Sequence, residues 1–276
     1  MYMGSIIYYP IFKVRDTMKK KSRHSRQANK LKNLILVVLV FIFVIGIVYI
    51  SYYLYNRNKD KKVNTDILND IEVDITEITP QKTEVMIKLE ELQKENNEII
   101  GWLEIEGTNI NSPVLQTTDN DFYLTHNYKK EKASSGSLFL DKDFDLENGS
   151  SNYLIYGHRN KQGLMFEDLL KYAKEDFYKE HKTIKFTTNK EDAIYEILAV
   201  FYSRVYYKSE KNVFRYYYFV NANNEAEYNE FINEAKKASI YDTGITAEYG
   251  DQLLTLSTCE YSQEDGRFAI VAKKIK

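Results

Sequence analysis

The chain has little of what usually staples an extracellular domain or holds a metal. Its 276 residues include one cysteine, Cys259, so no intramolecular disulfide can form. The four histidines, His24, His126, His158 and His181, are widely separated, and with a single cysteine they offer no zinc-ligand cluster. Positive charge is scarce after residue 62. Residues 1 to 62 take 13 of the 38 Lys and Arg but only Asp16 and Asp60 of the 40 acidic residues, leaving 25 basic against 38 acidic downstream. An acidic surface repels phosphates, so nucleic acid is excluded as a partner of this part. No internal repeat is visible.

Against these absences stand an apolar fraction of 43% and 24 tyrosines. The apolar fraction suffices for a buried core, and aromatic and β-branched residues fit half-buried pleated surfaces. The most concentrated apolar feature runs from Leu34 to Ile50, with only Gly46 interrupting, and Ser51 to Tyr55 extend it. That reaches the roughly 20 residues that a bilayer crossing needs. A core helix would carry polar positions on one face, and none occurs before Ser51. Tyr49, Tyr52, Tyr53 and Tyr55 suit the headgroup level. No small-residue cleavage site follows, which argues against a removed signal peptide.

Lys19, Lys20, Lys21, Arg23, Arg26, Lys30 and Lys32 precede the span; Arg57, Lys59, Lys61 and Lys62 follow it. The heavier cluster predicts a cytoplasmic N-terminus and an extracellular remainder. Met18, followed at once by three lysines, is a candidate start of translation.

These features divide the chain into a basic tail (1 to 33), a transmembrane anchor in membrane lipid (34 to 55), an extracellular stalk (56 to 82) and one domain (83 to 276) of ordinary size. A helix is expected over Thr83 to Asn97. Eight short strands follow, over Gly101 to Ile105, Ser112 to Gln116, Ser137 to Asp141, Tyr153 to Tyr156, Thr183 to Thr187, Ala193 to Val205, Gln252 to Thr258 and Phe268 to Ala272. Such a series predicts a barrel or sandwich, mostly β. Helices are expected between strands over Gly163 to Tyr178 and Glu225 to Ser239, their apolar stripes serving core packing.

An unpaired extracellular thiol is an intermolecular partner, a buried filler or a nucleophile. Cys259 ends one predicted strand, and eight positions later Arg267 opens the next. If those strands are neighbours, thiol and guanidinium stand at one end of the sheet, where the cation can stabilise charge on sulfur and then on an oxyanion. The competing reading of Arg267 is a salt bridge to Glu260, Glu264 or Asp265. His158 is the one histidine that ends a predicted strand beside glycine, in Tyr153-Leu154-Ile155-Tyr156-Gly157-His158. A strand end places a side chain rigidly, and Gly157 is expected to leave room for a substrate backbone. His126 and His181 read as surface residues.

Thr255-Leu256-Ser257-Thr258-Cys259 with Arg267 resembles the cysteine and arginine signature of the sortases, and Tyr156-Gly157-His158-Arg159 resembles their histidine strand. Gly101-Trp102-Leu103, Gly107-Thr108-Asn109-Ile110, Ser137-Leu138-Phe139-Leu140-Asp141, Met165-Phe166 and the long insertion before the cysteine strand are similar to class B members. The likeness covers about Asn97 to Lys274.

The resemblance implies an eight-stranded sortase-type β-barrel and transpeptidation on a Gram-positive cell surface. Cys259 would attack after a threonine in the C-terminal sorting motif of a secreted protein, and a peptidoglycan precursor amine would resolve the thioester. It implies His158 as acid and base, Arg267 as oxyanion donor, substrate contacts at Ser257 and Thr258, and no cofactor. Two other readings differ in outcome: a peptidase that uses water as acceptor, and an anchored binding module with an inert Cys259. Papain-like proteases place Cys before His, the reverse of the order here.

Overall fold

In a computed structural model of the protein the described residues are 12–65, 67, 71, 82–159 and 163–276. The first eleven residues and most of the predicted stalk lie outside them. Helix α1 spans Phe12–Thr65. An 18-residue window within Lys30–Val63 has a mean hydropathy of 3.2 and none of it is buried. This is a helix long and apolar enough to cross a membrane.

Residues 56 to 276 form a second compact unit. The end of α1 belongs to it. Asp60 is buried and accepts hydrogen bonds from the Ser134 amide (3.2 Å) and hydroxyl (3.0 Å). Lys59 pairs with Glu131 at 3.3 Å. Ile67 joins Leu89, Leu92, Trp102 and Tyr123 in an apolar cluster. Within the predicted stalk, therefore, these residues pack on the domain.

Helix α2, Glu84–Glu95, starts where Thr83 Oγ1 accepts from the Met86 amide (3.5 Å). It buries Met86, Ile87, Leu89 and Leu92 on one face. The strands are β1 (Ile99–Glu104), β2 (Asn111–Leu115), β3 (Leu138–Leu140), β4 (Asn152–Gly157), β5 (Thr183–Thr187), β6 (Asp192–Arg204), β7 (Leu253–Cys259) and β8 (Gly266–Lys274). They close in the order β1-β2-β3-β4-β7-β8-β6-β5, with β5 hydrogen-bonded back to β1. Every predicted strand is present, and the barrel has no free edge.

The continuous apolar runs of β6, β7 and β8 have a cause in this closure. Phe268, Ile270 and Ala272 fill the barrel together with Leu254 and Leu256. Ala269, Val271 and Leu253 face outwards into a second cluster, with Phe201, Tyr228, Phe231 and Ile232. That cluster is roofed by a helix over Glu225–Ala238, whose cap Asn224 accepts from the Glu227 amide at 3.0 Å. Strands covered on both faces lose the alternation that marks a half-exposed sheet.

One predicted helix is different. Gly163 to Tyr178 is a 3₁₀ turn, Glu167–Ala173, followed by the short helix α3, Glu175–Glu180, with Lys174 extended between them; the roofing helix is then α4. Phe166, Leu169 and Tyr172 are fully buried. Their spacing of three suits the 3.0 residues per turn of a 3₁₀ helix better than the 3.6 of an α-helix.

Gly157 also differs from expectation. A Cβ there would lie 2.5 Å from Leu138 Cδ2 and 2.7 Å from Phe166 Cδ2. The space that the missing side chain leaves is filled by the protein's own core, not kept open for substrate. Gly157→Ala should therefore overpack the strand that carries His158, lowering stability by about 1–3 kcal/mol. Chemical denaturation of the full chain in detergent checks this, and an unchanged midpoint would mean that Leu138 and Phe166 give way freely.

Candidate active site

Two ladders bring the predicted residues together. β7 and β8 are antiparallel with Cys259 directly opposite Arg267, and side chains opposite one another share a face. β4 and β7 are parallel, with Tyr156 opposite Ser257 and Gly157 opposite Thr258. One step further, as both strands end, His158 comes beside Cys259. Alternation then places Tyr156, His158, Ser257, Cys259 and Arg267 on the outer face of the barrel rim.

Buried hydrogen bonds lock this register. Thr258 Oγ1 donates to the Gly157 carbonyl (2.8 Å), linking the residue before the thiol to the residue before the imidazole. Lower down, Thr255 Oγ1 donates to Asn152 Oδ1 (2.9 Å), and Asn152 Nδ2 donates to the Phe219 carbonyl (2.7 Å). Asn152 and Thr255 are fully buried, where an unmatched polar group would cost stability. The β7–β8 turn closes through the Glu260 amide to the Gly266 carbonyl (2.9 Å). A Cβ at Gly266 would stand 2.3 Å from the Glu260 carbonyl, so this tight closure requires glycine.

Cys259, His158, Arg267, Ser257 and Thr258 all line one cavity of about 250 Å³. Cys259 is free and only partly buried, unlike an inert core thiol. A larger cavity of about 490 Å³ lies between α4 and residues 212 to 219, but it is lined by neither cysteine nor histidine. Chemistry rather than size selects the smaller one.

Arg267 Nη1 donates to the carbonyls of Asp265 (3.3 Å) and Gly266 (2.9 Å). Among the described residues no carboxylate forms an ion pair with it. Of the three acids that the sequence offered, Asp265 meets Arg267 through its backbone carbonyl alone, Glu264 forms no ion pair with it, and Glu260 points elsewhere: it pairs with Arg159 at 3.6 Å and accepts from the amide of Ser262 (2.9 Å) and from its hydroxyl. The salt-bridge reading of Arg267 is therefore not what the structure has, and its charge is available to the cavity.

Ser257 and Thr258 are 2% exposed. The Ser257 hydroxyl lies 2.7 Å from that of Tyr216, and the Thr258 hydroxyl is committed to Gly157. Burial, moderated by the Ser257 hydrogen bond, pushes the Tyr216 phenol above its ordinary pKa. His126 and His181 do not line the cavity. His126 stacks on Phe122 with ring centres 4.1 Å apart, and His181 lies against Phe177 at 4.4 Å.

Sequence reading missed part of the cavity wall: Asn120, Asp121, Leu124, Phe139 and Tyr156. Tyr156 was within reach, because period-two alternation puts it on the face of His158. Asn120 and Asp121 carried no local signal; they arrive through the 3₁₀ turn Phe122–Leu124, which Asp119 starts by accepting from the amides of Asp121 (2.8 Å) and Phe122 (2.7 Å).

A closed barrel whose rim gathers a free thiol, an imidazole and an uncancelled guanidinium has the design of a thiol-dependent acyl-transfer protein. A family model described as the sortase domain matches residues 103–275. Sortase B of Listeria monocytogenes is 36% identical over 221 residues, which is 78% of this chain and 87% of that protein. A crystal structure of sortase B from Bacillus anthracis in complex with AAEK1 aligns at a TM-score of 0.69 and 32% identity, over 81% of this chain and 99% of that one. A Staphylococcus aureus sortase B–substrate complex aligns at 0.62 and 32% identity, over 70% and 86% of the two chains. A sortase B complexed with triglycine gives 0.63 and 31% identity, over 71% and 88%. The chain belongs to the sortase family, whose members are cysteine transpeptidases.

The turn beside Cys259 has its own pH dependence. Burial works against ionisation of Glu260, but the Ser262 hydrogen bonds, the Tyr261 amide and Arg159 outweigh it and hold the carboxyl below its ordinary 4.5. Its contribution is fully present above 4.5 and is lost as pH falls through the lower folded value. Hydrogen exchange, corrected for intrinsic pH effects, should show the Ser262 amide losing protection in that acid window and not above it.

Proposed function

We propose that the protein is a membrane-anchored transpeptidase that joins secreted proteins to peptidoglycan, with Cys259 as nucleophile, His158 as acid and base, and Arg267 as oxyanion donor. The reading rests on one observation above the others: Cys259 stands between His158, which directly follows the end of β4, and Arg267 on β8, and all three line a single cavity.

The sulfur of Cys259, reacting as the thiolate, attacks the threonine carbonyl of a sorting motif. Negative charge passes to the carbonyl oxygen, where Arg267 stabilises it. The peptide C–N bond breaks, and His158 protonates the departing amine. The same imidazole then takes a proton from an incoming amine, whose nitrogen attacks the thioester and expels the sulfur. Atoms and charge balance without a cofactor. Complexes of sortase B relatives with triglycine and with substrate support a peptide donor and an amine acceptor. We place the acceptor on a peptidoglycan precursor, lipid II or the cross-bridge. Ser257 and Thr258 contribute the cavity wall against which the donor peptide lies.

Residues 34 to 55 form the anchor. The lysines and arginines before the span outnumber those after it, which supports a cytoplasmic N-terminus and a catalytic unit outside the cell.

The test is mass analysis of products from a sorting peptide with and without triglycine. The full chain should yield an amide product containing the added amine, and Cys259→Ala should yield none. His158→Ala should lower the rate by about 10²- to 10⁴-fold and Arg267→Ala by about 10²- to 10³-fold. Hydrolysed peptide alone, in the presence of saturating amine, would assign a peptidase instead.

A further inference from the structure

Behind the cleft sits a carboxylate that the transfer chemistry does not use. Asp141, just after β3, is 4% exposed. Its Oδ1 accepts from the Asp143 amide at 2.9 Å, a local turn. Its Oδ2 reaches away from that turn and accepts from two groups at once, Asn120 Nδ2 (3.0 Å) and the Tyr156 hydroxyl (3.0 Å). The neighbouring cation, Lys142, pairs with Asp143 instead, at 2.6 Å. Asn120 and Tyr156 both line the cavity that holds Cys259. They come from different parts of the chain, a loop after β2 and the end of β4, and Asp141 joins them.

The join fixes polarity as well as position. Burial, then the charge of Asp141, holds the Tyr156 phenol above its ordinary pKa, so it keeps its proton. That proton goes to Asp141 at 3.0 Å in preference to the Tyr217 carbonyl at 3.5 Å, which leaves the lone pairs of the phenol oxygen free to accept. Asn120 is set the opposite way. Its Oδ1 accepts from the Lys142 amide at 2.9 Å and one Nδ2 hydrogen goes to Asp141, so the remaining Nδ2 hydrogen is a donor. One acceptor and one donor on the same wall match one residue of an extended peptide, whose own N–H and C=O point to the same side.

We propose that Asp141 is a positioning residue for the donor peptide, presetting Tyr156 as acceptor and Asn120 as donor so that they read the N–H and C=O of one extended residue of the sorting motif. This rests on the transpeptidase reading above and adds to it how the cleft recognises backbone.

An amide at position 141 cannot replace the carboxylate. In one orientation its NH₂ opposes the Asp143 amide; in the other it opposes the Asn120 NH₂ and donates to the Tyr156 oxygen, whose proton then turns to the Tyr217 carbonyl and whose acceptor role is lost. The experiment measures binding in the full chain carrying Cys259→Ala, in detergent. The probe is a fluorescein-labelled sorting peptide from the C terminus of a secreted protein of the same cell, read by anisotropy. Asp141→Asn should raise Kd about tenfold, the scale of a lost hydrogen bond to a charged or oriented group. Tyr156→Phe with Asn120→Ala should raise it by a similar factor, and adding Asp141→Asn to that pair should change it little further.

A second readout tests polarity. A set of peptides, each with one amide replaced by an ester, removes one N–H at a time. One of them should bind the Cys259→Ala chain more weakly than the parent peptide, and that difference should vanish with Tyr156→Phe. A merely structural role for Asp141 would lower the thermal midpoint without this ester pattern. Should Asp141→Asn fail to fold, the Tyr156→Phe and ester arms still decide. An unchanged Kd in Asp141→Asn, additive effects, or an ester loss that persists in Tyr156→Phe overturns the inference. Because binding is measured without the thiol, these outcomes stand apart from the amine-transfer assay, whose failure would sink the transpeptidase reading instead.

Discussion

The structure depends on the register of three strands. With β7 between a parallel β4 and an antiparallel β8, Cys259 has Arg267 opposite on one side and the strand end that carries His158 on the other. Strand pairing has a period of two, so a slip by one residue would send one of these side chains into the barrel core. The fold resists that slip at several points. Phe268 and Ile270 must fill the barrel while Ala269 and Val271 meet the cluster under α4, and the Thr258–Gly157 and Thr255–Asn152 hydrogen bonds exist only in this alignment.

Around that frame, charge is distributed so that the cation at the rim is not neutralised. Glu260, next to the thiol in sequence, turns to Arg159 and Ser262, while Arg267 is steadied by backbone carbonyls. Carbonyls orient a guanidinium without cancelling its charge, which leaves it able to answer an oxyanion. Ion pairing of Arg159, beside His158, with Glu260, beside Cys259, also ties together the two segments that leave the site. Polar groups farther back, from Asp141 to Tyr156 and Asn120, give the wall a defined donor and acceptor.

Much of this is legible in the sequence, for physical reasons. Short β-branched and aromatic runs mark all eight strands, and the scarcity of cysteine and histidine makes Cys259 and His158 conspicuous at strand ends. Adjacency of Cys259 and Arg267 follows from the short turn between two strands. What escapes depends on tertiary packing. Gly157 reads as open space because its occupants, Leu138 and Phe166, come from elsewhere in the chain. The 3₁₀ turn reads as an α-helix because apolar residues three apart suit either until their period is weighed closely. Asn120 is invisible because only closure of the barrel brings its loop to the rim. Asp60 and Ile67 lie in a polar stretch whose composition hides their packing against the domain.

The central claim, that the sulfur of Cys259 is the atom on which an acyl group is carried, is tested most directly by trapping that group. The full chain would be quenched in acid shortly after mixing with sorting-motif peptides, digested, and sequenced by mass spectrometry. The account predicts a hydroxylamine-labile acyl adduct ending in threonine on the peptide that contains Cys259, absent when His158 is replaced by alanine. An acyl group found on any other residue, or turnover of the motif with Cys259 replaced by alanine, would contradict it.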